Sequence, residues 1–185
     1  MPQSAVELLQ HLIRIPSVNP DDQSGIAGDG ELALAQCLAQ WLEGPSCEVF
    51  LDEVKPGRPN LIARFAPMDG RPRILLGPHL DTVGVANMTI EPFAAEIRDG
   101  KIWGRGASDT KGPMAAMLWA LRENAHLLHD MPIAVDFVAS WQRNLVNGAR
   151  STSPSTTVIT ILLRLLANPH LLISSTPPKD RFGQR

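Results

Sequence analysis

From Ser4 to Ile15 the apolar residues Val6, Leu9 and Ile13, together with Leu8, Leu12 and Ile15, form one broad face at helical spacing. Ser4 and Glu7 make a Ser-x-x-Glu capping box at its start, and Pro16 and Pro20 end it, which predicts a first helix running to about Ile15. A polar loop containing Gly25, Gly28 and Gly30 leads to a second amphipathic stretch through Leu34, Leu38, Trp41 and Leu42, stopped by Gly44-Pro45. The period then changes. Cys47 to Val54 alternates apolar and acidic residues, Asn60 to Phe65 follows, and Arg73 to Leu76 is an apolar run suited to a buried strand. Asp99-Gly100, between Glu96-Ile97-Arg98 and Lys101-Ile102-Trp103, predicts a hairpin. A helix from about Thr110 to Ala125 and a strand from Ile133 to Ala139 complete the patterned part, and no internal repeat is present.

This order of helices and strands predicts an α/β layer structure. Beyond residue 141 the character of the chain changes. Residues 1–141 carry 11 Lys and Arg against 18 Asp and Glu, whereas 142–185 carry 6 against 1. The second part has ten Ser and Thr between 151 and 176, ends in Thr-Pro-Pro-Lys-Asp-Arg-Phe-Gly-Gln-Arg and shows no clear amphipathic period. We therefore expect a structured unit over 1–141 and an irregular tail over 142–185.

The 185 residues suffice for one buried core, or one and part of a second. With 44% hydrophobic and 19% charged residues and a net charge of -2, the composition is that of an ordinary globular chain and offers no electrostatic footprint for nucleic acid. The longest apolar stretch, Val158 to Ala167, falls short of the ~20 residues of a membrane helix and contains Arg164, so no span is expected. The opening segment lacks the basic and apolar pattern of a secretory signal, which makes a cytoplasmic location the expectation. Cys37 and Cys47 lack Cys-x-x-Cys spacing and are read as free thiols.

Chemistry concentrates in two segments. The strand Ile74-Leu75-Leu76 runs into Gly77-Pro78-His79-Leu80-Asp81-Thr82, which puts His79 and Asp81 past its carboxyl end, where open α/β sheets bind ligands. A neutral imidazole ligates zinc well, and a carboxylate two residues on can take its other N–H. The alternative for a lone His-x-Asp is a satisfied histidine beside a turn aspartate. The second segment, Gly104-Arg105-Gly106-Ala107-Ser108-Asp109-Thr110-Lys111-Gly112-Pro113-Met114, passes from a glycine-rich turn into a helix. Asp109 is a candidate metal carboxylate, or alternatively an N-cap with Pro113 tolerated in the first turn.

Together, His-Leu-Asp-Thr-Val and Gly-Arg-Gly-Ala-Ser-Asp-Thr-Lys-Gly resemble the M20-type zinc metallopeptidases: aminoacylases, acetylornithine deacetylases, succinyl-diaminopimelate desuccinylases and glutamate carboxypeptidases. Glu91-Pro92-Phe93 and the opening Leu-Ile-Arg-Ile-Pro-Ser-Val-Asn-Pro fit as well, and the resemblance covers about residues 4–140. It implies part of an α/β three-layer zinc-peptidase catalytic domain, with a mixed and mostly parallel sheet flanked by helices. It also implies that His79 ligates one metal, that Asp109 bridges two zinc (or cobalt) ions roughly 3.5–4 Å apart, and that Asp81 orients His79 as a catalytic residue. The implied substrate is a small N-acyl amino acid or peptide, with neither nucleic acid nor membrane as partner.

The resemblance also calls for two adjacent glutamates after the strand that ends at Ala139, one a general base and one a metal ligand. The sequence there reads Ser140-Trp141-Gln142-Arg143-Asn144. Gln142 cannot accept a proton at neutral pH, and Arg143 adds a positive charge. The family's later acidic and histidine ligands and its inserted dimerisation domain have no counterpart among these 185 residues, and His170 is assigned no metal role. Two functions are therefore expected to compete: a metal-dependent amide hydrolase, and a catalytically inactive remnant arising from truncation or a frameshift near residue 141. His126 and His129, three apart, are read as cations at a helix C-terminus rather than a metal pair, and Ser108 as a loop hydroxyl.

Overall fold

The computed structural model of the chain describes residues 1–22, 30–44, 46–141 and 158–159. Helix α1 (Ala5–Ile13) starts where Ser4 caps it, the Ser4 hydroxyl accepting from the Glu7 amide at 3.1 Å. Glu7 reaches back one residue further than a reciprocal box requires, accepting from the Gln3 amide at 2.8 Å. Helix α2 (Gly30–Leu42) buries Leu34, Leu38, Trp41 and Leu42, the four positions its periodicity marks. Strands β1 (Glu48–Lys55), β2 (Arg58–Arg64) and β3 (Arg73–Leu76) follow, then the hairpin β4 (Glu96–Arg98) and β5 (Lys101–Trp103). Asp99 and Gly100 in its turn both have positive φ, 51° and 69°, as a tight two-residue hairpin connection requires. Helix α3 (Lys111–Glu123) stops short of Ala125. The Asn124 side chain turns back to the Ala120 carbonyl at 2.8 Å, and a separate short helix α4 (Ala125–Leu128) follows. Strands β6 (Ala134–Ala139) and β7 (Val158–Ile159) complete the elements.

The main sheet has the order β1-β2-β6-β3-β7. β2 is antiparallel to both β1 and β6, while β3 is parallel to β6 and to β7. Four strands thus point one way and β2 alone is reversed, a mixed sheet flanked by helices. Leu61 and Ala63 of β2 and Phe137 of β6 share one core with Leu8 and Leu12 of α1, Leu34 and Leu38 of α2, and Met114 and Leu118 of α3. α3 packs on α1, and α2 packs on β2 and β1. Strand β3 is less enclosed than its apolar run suggests. Ile74 to Leu76 are half-buried, and Leu76 borders an open groove with Met117, Leu121 and Leu128. Its buried residue is Arg73, paired with Asp136 at 2.6 and 2.7 Å and bonded to the Ala66 and Pro67 carbonyls.

The two cysteines are separate free thiols, both half-buried. No helix among the described residues is long and apolar enough to cross a membrane. Of the expected tail, Val158–Ile159 pairs with β3, and the rest, including His170, lies outside the described residues.

Candidate metal centre

Past its last paired residue, the β3 chain remains in register with its neighbours. His79 bridges in parallel to Ser140 at the end of β6, with the Leu80 amide donating to the Ser140 carbonyl at 2.7 Å and the Ser140 amide to the Pro78 carbonyl at 3.0 Å. On the other side Val18 bridges to Thr82. The Thr82 amide donates to the Ser17 carbonyl and the Asn19 amide to the Thr82 carbonyl, both at 2.8 Å. Segment 78–82 is therefore clamped between residues 17–19 and 140, and its side chains project from a fixed backbone.

That clamp sets the His79 ring. Nδ1 lies 2.9 Å from Asp81 Oδ1 and 2.9 Å from the Asp81 carbonyl, and Nε2 lies 3.0 Å from Asp109 Oδ1. His79 and Asp81 are largely buried, whereas the Asp109 side chain is 62% exposed. Burial works to lower the His79 pKa. Hydrogen bonds to Asp81 and Asp109, helped by both negative charges, outweigh it and hold the pKa above the ordinary imidazole value. Each ring nitrogen faces a carboxylate. A cation that replaced the Nε2 proton would find Nδ1–H already held by Asp81.

Asp109 is not a helix cap. Thr110 occupies the N-cap position of α3, without a side-chain cap bond, and Asp109 precedes it, linked to Thr110 by a cis peptide bond. The Asp109 carboxylate faces His79 across the sheet end. The loop is anchored from below by Lys111, which is 1% exposed and whose ammonium donates to the Leu12 and Ile15 carbonyls at 2.9 and 2.7 Å, capping the C-terminus of α1. Burial lowers its pKa to about 7. The neighbouring Gly112 is required by close approach: a Cβ there would lie 2.3 Å from the Ala107 carbonyl oxygen. Gly112→Ala is expected to cost about 1–3 kcal/mol in urea unfolding, reversing the gain alanine normally gives inside a helix.

His79 Nε2 and Asp109 thus lie within hydrogen-bonding distance, and Asp81 faces the other ring nitrogen of His79. Zinc bonds of ~2.0–2.2 Å at a tetrahedral angle separate two donors by about 3.4 Å, close to the 3.0 Å between Nε2 and Oδ1, so the pair fits one edge of a zinc site. Among the described residues, no group of three or more His, Cys, Asp and Glu side chains converges on one point. His129 Nδ1 lies 2.8 Å from Asp130 Oδ1, and neither His126 nor His129 belongs to a group of three or more metal-ligating side chains among the described residues. Ser108 is exposed.

Sequence reasoning missed Asn19, Arg58 and Glu31, which stand behind this pair. The Asn19 amide donates to Asp81 Oδ2 at 2.9 Å, and Arg58 donates both to Asn19 and, through two bonds, to buried Glu31. The one available signal was Asn19 within Ser-Val-Asn-Pro, a motif quoted above with no role attached.

Residues 75–140 match a family described as Peptidase family M20/M25/M40. The chain is 37% identical over 121 residues to succinyl-diaminopimelate desuccinylase of Beijerinckia indica, and 34% identical over 115 residues to acetylornithine deacetylase of Aliivibrio fischeri. Those matches take in 63% and 61% of this chain, and the chain spans 29% of the length of each relative. Among solved structures, human carnosine dipeptidase 1 superposes with a TM-score of 0.58 at 22% identity, over 74% of this chain and 31% of that one. The M20 family metallo-carboxypeptidase Sso-CP2 of Sulfolobus solfataricus gives 0.58 at 22%, over 76% and 31%. Residues 75–140, which hold His79, Asp81 and Asp109, match the model of peptidase family M20/M25/M40, and the fold around them is similar to that of peptidases of known structure.

Proposed function

We propose that the chain serves metal-dependent hydrolysis of the amide bond of an N-acyl amino acid or small peptide, with zinc held by His79 and Asp109. The observation that carries this is the His79 ring fixed between Asp81 and Asp109 at the carboxyl end of β3, inside the segment that matches the family. Zinc bound there would polarise a substrate carbonyl and lower the pKa of a water molecule. The chain's own part is to hold Nδ1–H on Asp81, present Nε2 and a carboxylate oxygen on one side, and keep both in place through the clamp on residues 78–82. Because His79 must give up its Nε2 proton to bind, zinc affinity should rise with pH through the raised His79 pKa.

One observation favours a second reading, a chain that binds metal but does not turn over substrate. The positions at which the resemblance calls for two glutamates are Gln142 and Arg143. Loss of a general base alone costs about 10²–10⁴-fold in rate. Calorimetric titration with zinc, run beside assays on N-acetylornithine and N-succinyl-diaminopimelate, separates the two. Turnover that chelator removes and zinc restores supports the first reading, zinc binding without turnover supports the second, and absence of both sinks the metal assignment.

A further inference from the structure

Asp81 divides its two carboxylate oxygens: Oδ1 faces His79 Nδ1 and Oδ2 accepts from the Asn19 amide nitrogen at 2.9 Å. The Asn19 carbonyl oxygen accepts from Arg58 Nη2 and from the Asp21 backbone amide, both at 2.9 Å. Arg58 is itself fixed, 6% exposed, with Nε and Nη2 on the Glu31 carboxylate at 2.7 and 2.8 Å, Nη1 on Asp21 at 2.7 Å, and its guanidinium 4.2 Å from the Trp141 ring. Guanidinium only donates and an ionised carboxylate only accepts. The two neighbours of the Asn19 side chain therefore impose the same orientation on it, with oxygen toward Arg58 and nitrogen toward Asp81.

We propose that Asn19 is a positioning residue for His79: it fixes the rotation of the Asp81 carboxylate and so fixes which imidazole nitrogen keeps its proton and which faces Asp109. The role needs a donor and an acceptor on one short side chain. Aspartate has the size but no donor, and would set two carboxylates face to face at Asp81. The backbone of residue 19 is held separately, by its amide on the Thr82 carbonyl and by the Val18–Thr82 bridge, so a change of side chain leaves the segment in place. The geometric claim concerns His79 alone. Its importance for metal rests on the reading above.

The test uses the whole chain as wild type, Asn19→Asp, and the exchanged pair Asn19→Asp with Asp81→Asn. In the exchanged pair, an asparagine at 81 can donate to an aspartate at 19 while its carbonyl oxygen still accepts from His79 Nδ1–H. At one alkaline pH, at which the imidazole is neutral, and without added metal, the ¹⁵N shifts of the two ring nitrogens report which of them carries the proton. Asn19→Asp is expected to move those shifts and the exchanged pair to bring them back, while zinc affinity drops about 10–100-fold in the single variant and largely recovers in the double. Unchanged shifts in Asn19→Asp, or no recovery in an exchanged pair that melts with the wild type, overturn the proposal. Should Asn19→Asp fail to fold, Asn19→Ala removes the amide without adding charge and must move the same shifts. Wild-type chain that binds no zinc defeats the metal reading but leaves the imidazole shifts to decide the role of Asn19.

Discussion

Arg58→Met is expected to destabilise the chain by about 3–5 kcal/mol at pH 7, the cost of leaving one member of a buried ion pair without its partner. Glu31 is 2% exposed, both of its oxygens are on Arg58, and methionine fills the volume without supplying a donor. The loss should depend on pH in a stated direction. Burial already raises the Glu31 pKa above its ordinary value, with Asp81 and Asp21 adding to the rise, and the Arg58 hydrogen bond and charge pull it back only in part. Removing Arg58 raises it further. A group whose folded pKa exceeds its unfolded one contributes its full stability below the unfolded value, here about 4.5, and loses it as pH rises through the folded value. The gap between variant and wild type in urea unfolding should therefore be wide at pH 7 and narrow toward pH 4.5. A gap of equal size at both would mean that lost packing against Trp141, not a stranded carboxylate, accounts for the effect.

Asp109→Asn is expected to do the opposite, changing stability by no more than about 1 kcal/mol while weakening zinc binding by more than about 100-fold. The side chain is 62% exposed and does not cap α3, so its removal leaves neither a cavity nor an orphaned helix end. As a proposed ligand it supplies charge that an amide cannot. Loss of supporting residues around zinc sites already costs 10–100-fold, and loss of a ligand costs more. Calorimetry and thermal melting on the same samples check both halves. Strong destabilisation with unaltered zinc affinity would return Asp109 to a structural role.

The contrast between these two residues shows what a sequence exposes. Asp109 is legible because its surroundings are local: a glycine-rich turn, a helix start and a motif spread over a few positions. Arg58 gives no such sign, because the partners that make it important, Asn19, Glu31 and Trp141, are 39, 27 and 83 positions away. Lys111 shows the same limit within the motif itself. Its place in Thr-Lys-Gly is plain, but its ammonium is held by carbonyls at and just past the end of α1, 99 and 96 residues earlier. The alternation of Cys47 to Val54 correctly marks a strand, yet β1 leaves Phe50, Leu51 and Val54 exposed, since an edge strand's burial depends on what covers it.

By itself the sequence determined the short-range features: the Ser4 cap, the amphipathic face of α2, the Asp99-Gly100 turn, and the placement of His79 and Asp81 just beyond β3. Each follows from dihedral preference, side-chain period or hydrogen bonds between near neighbours. Only the tertiary structure decided that β6 enters between β2 and β3, that Ser140 and Val18 clamp the His79 segment from two sides, and that Asp109 faces His79 instead of capping α3. Those outcomes depend on which distant segments bury their apolar faces together. No local period encodes that choice, because hydrophobic burial specifies that a face is covered and not which segment covers it.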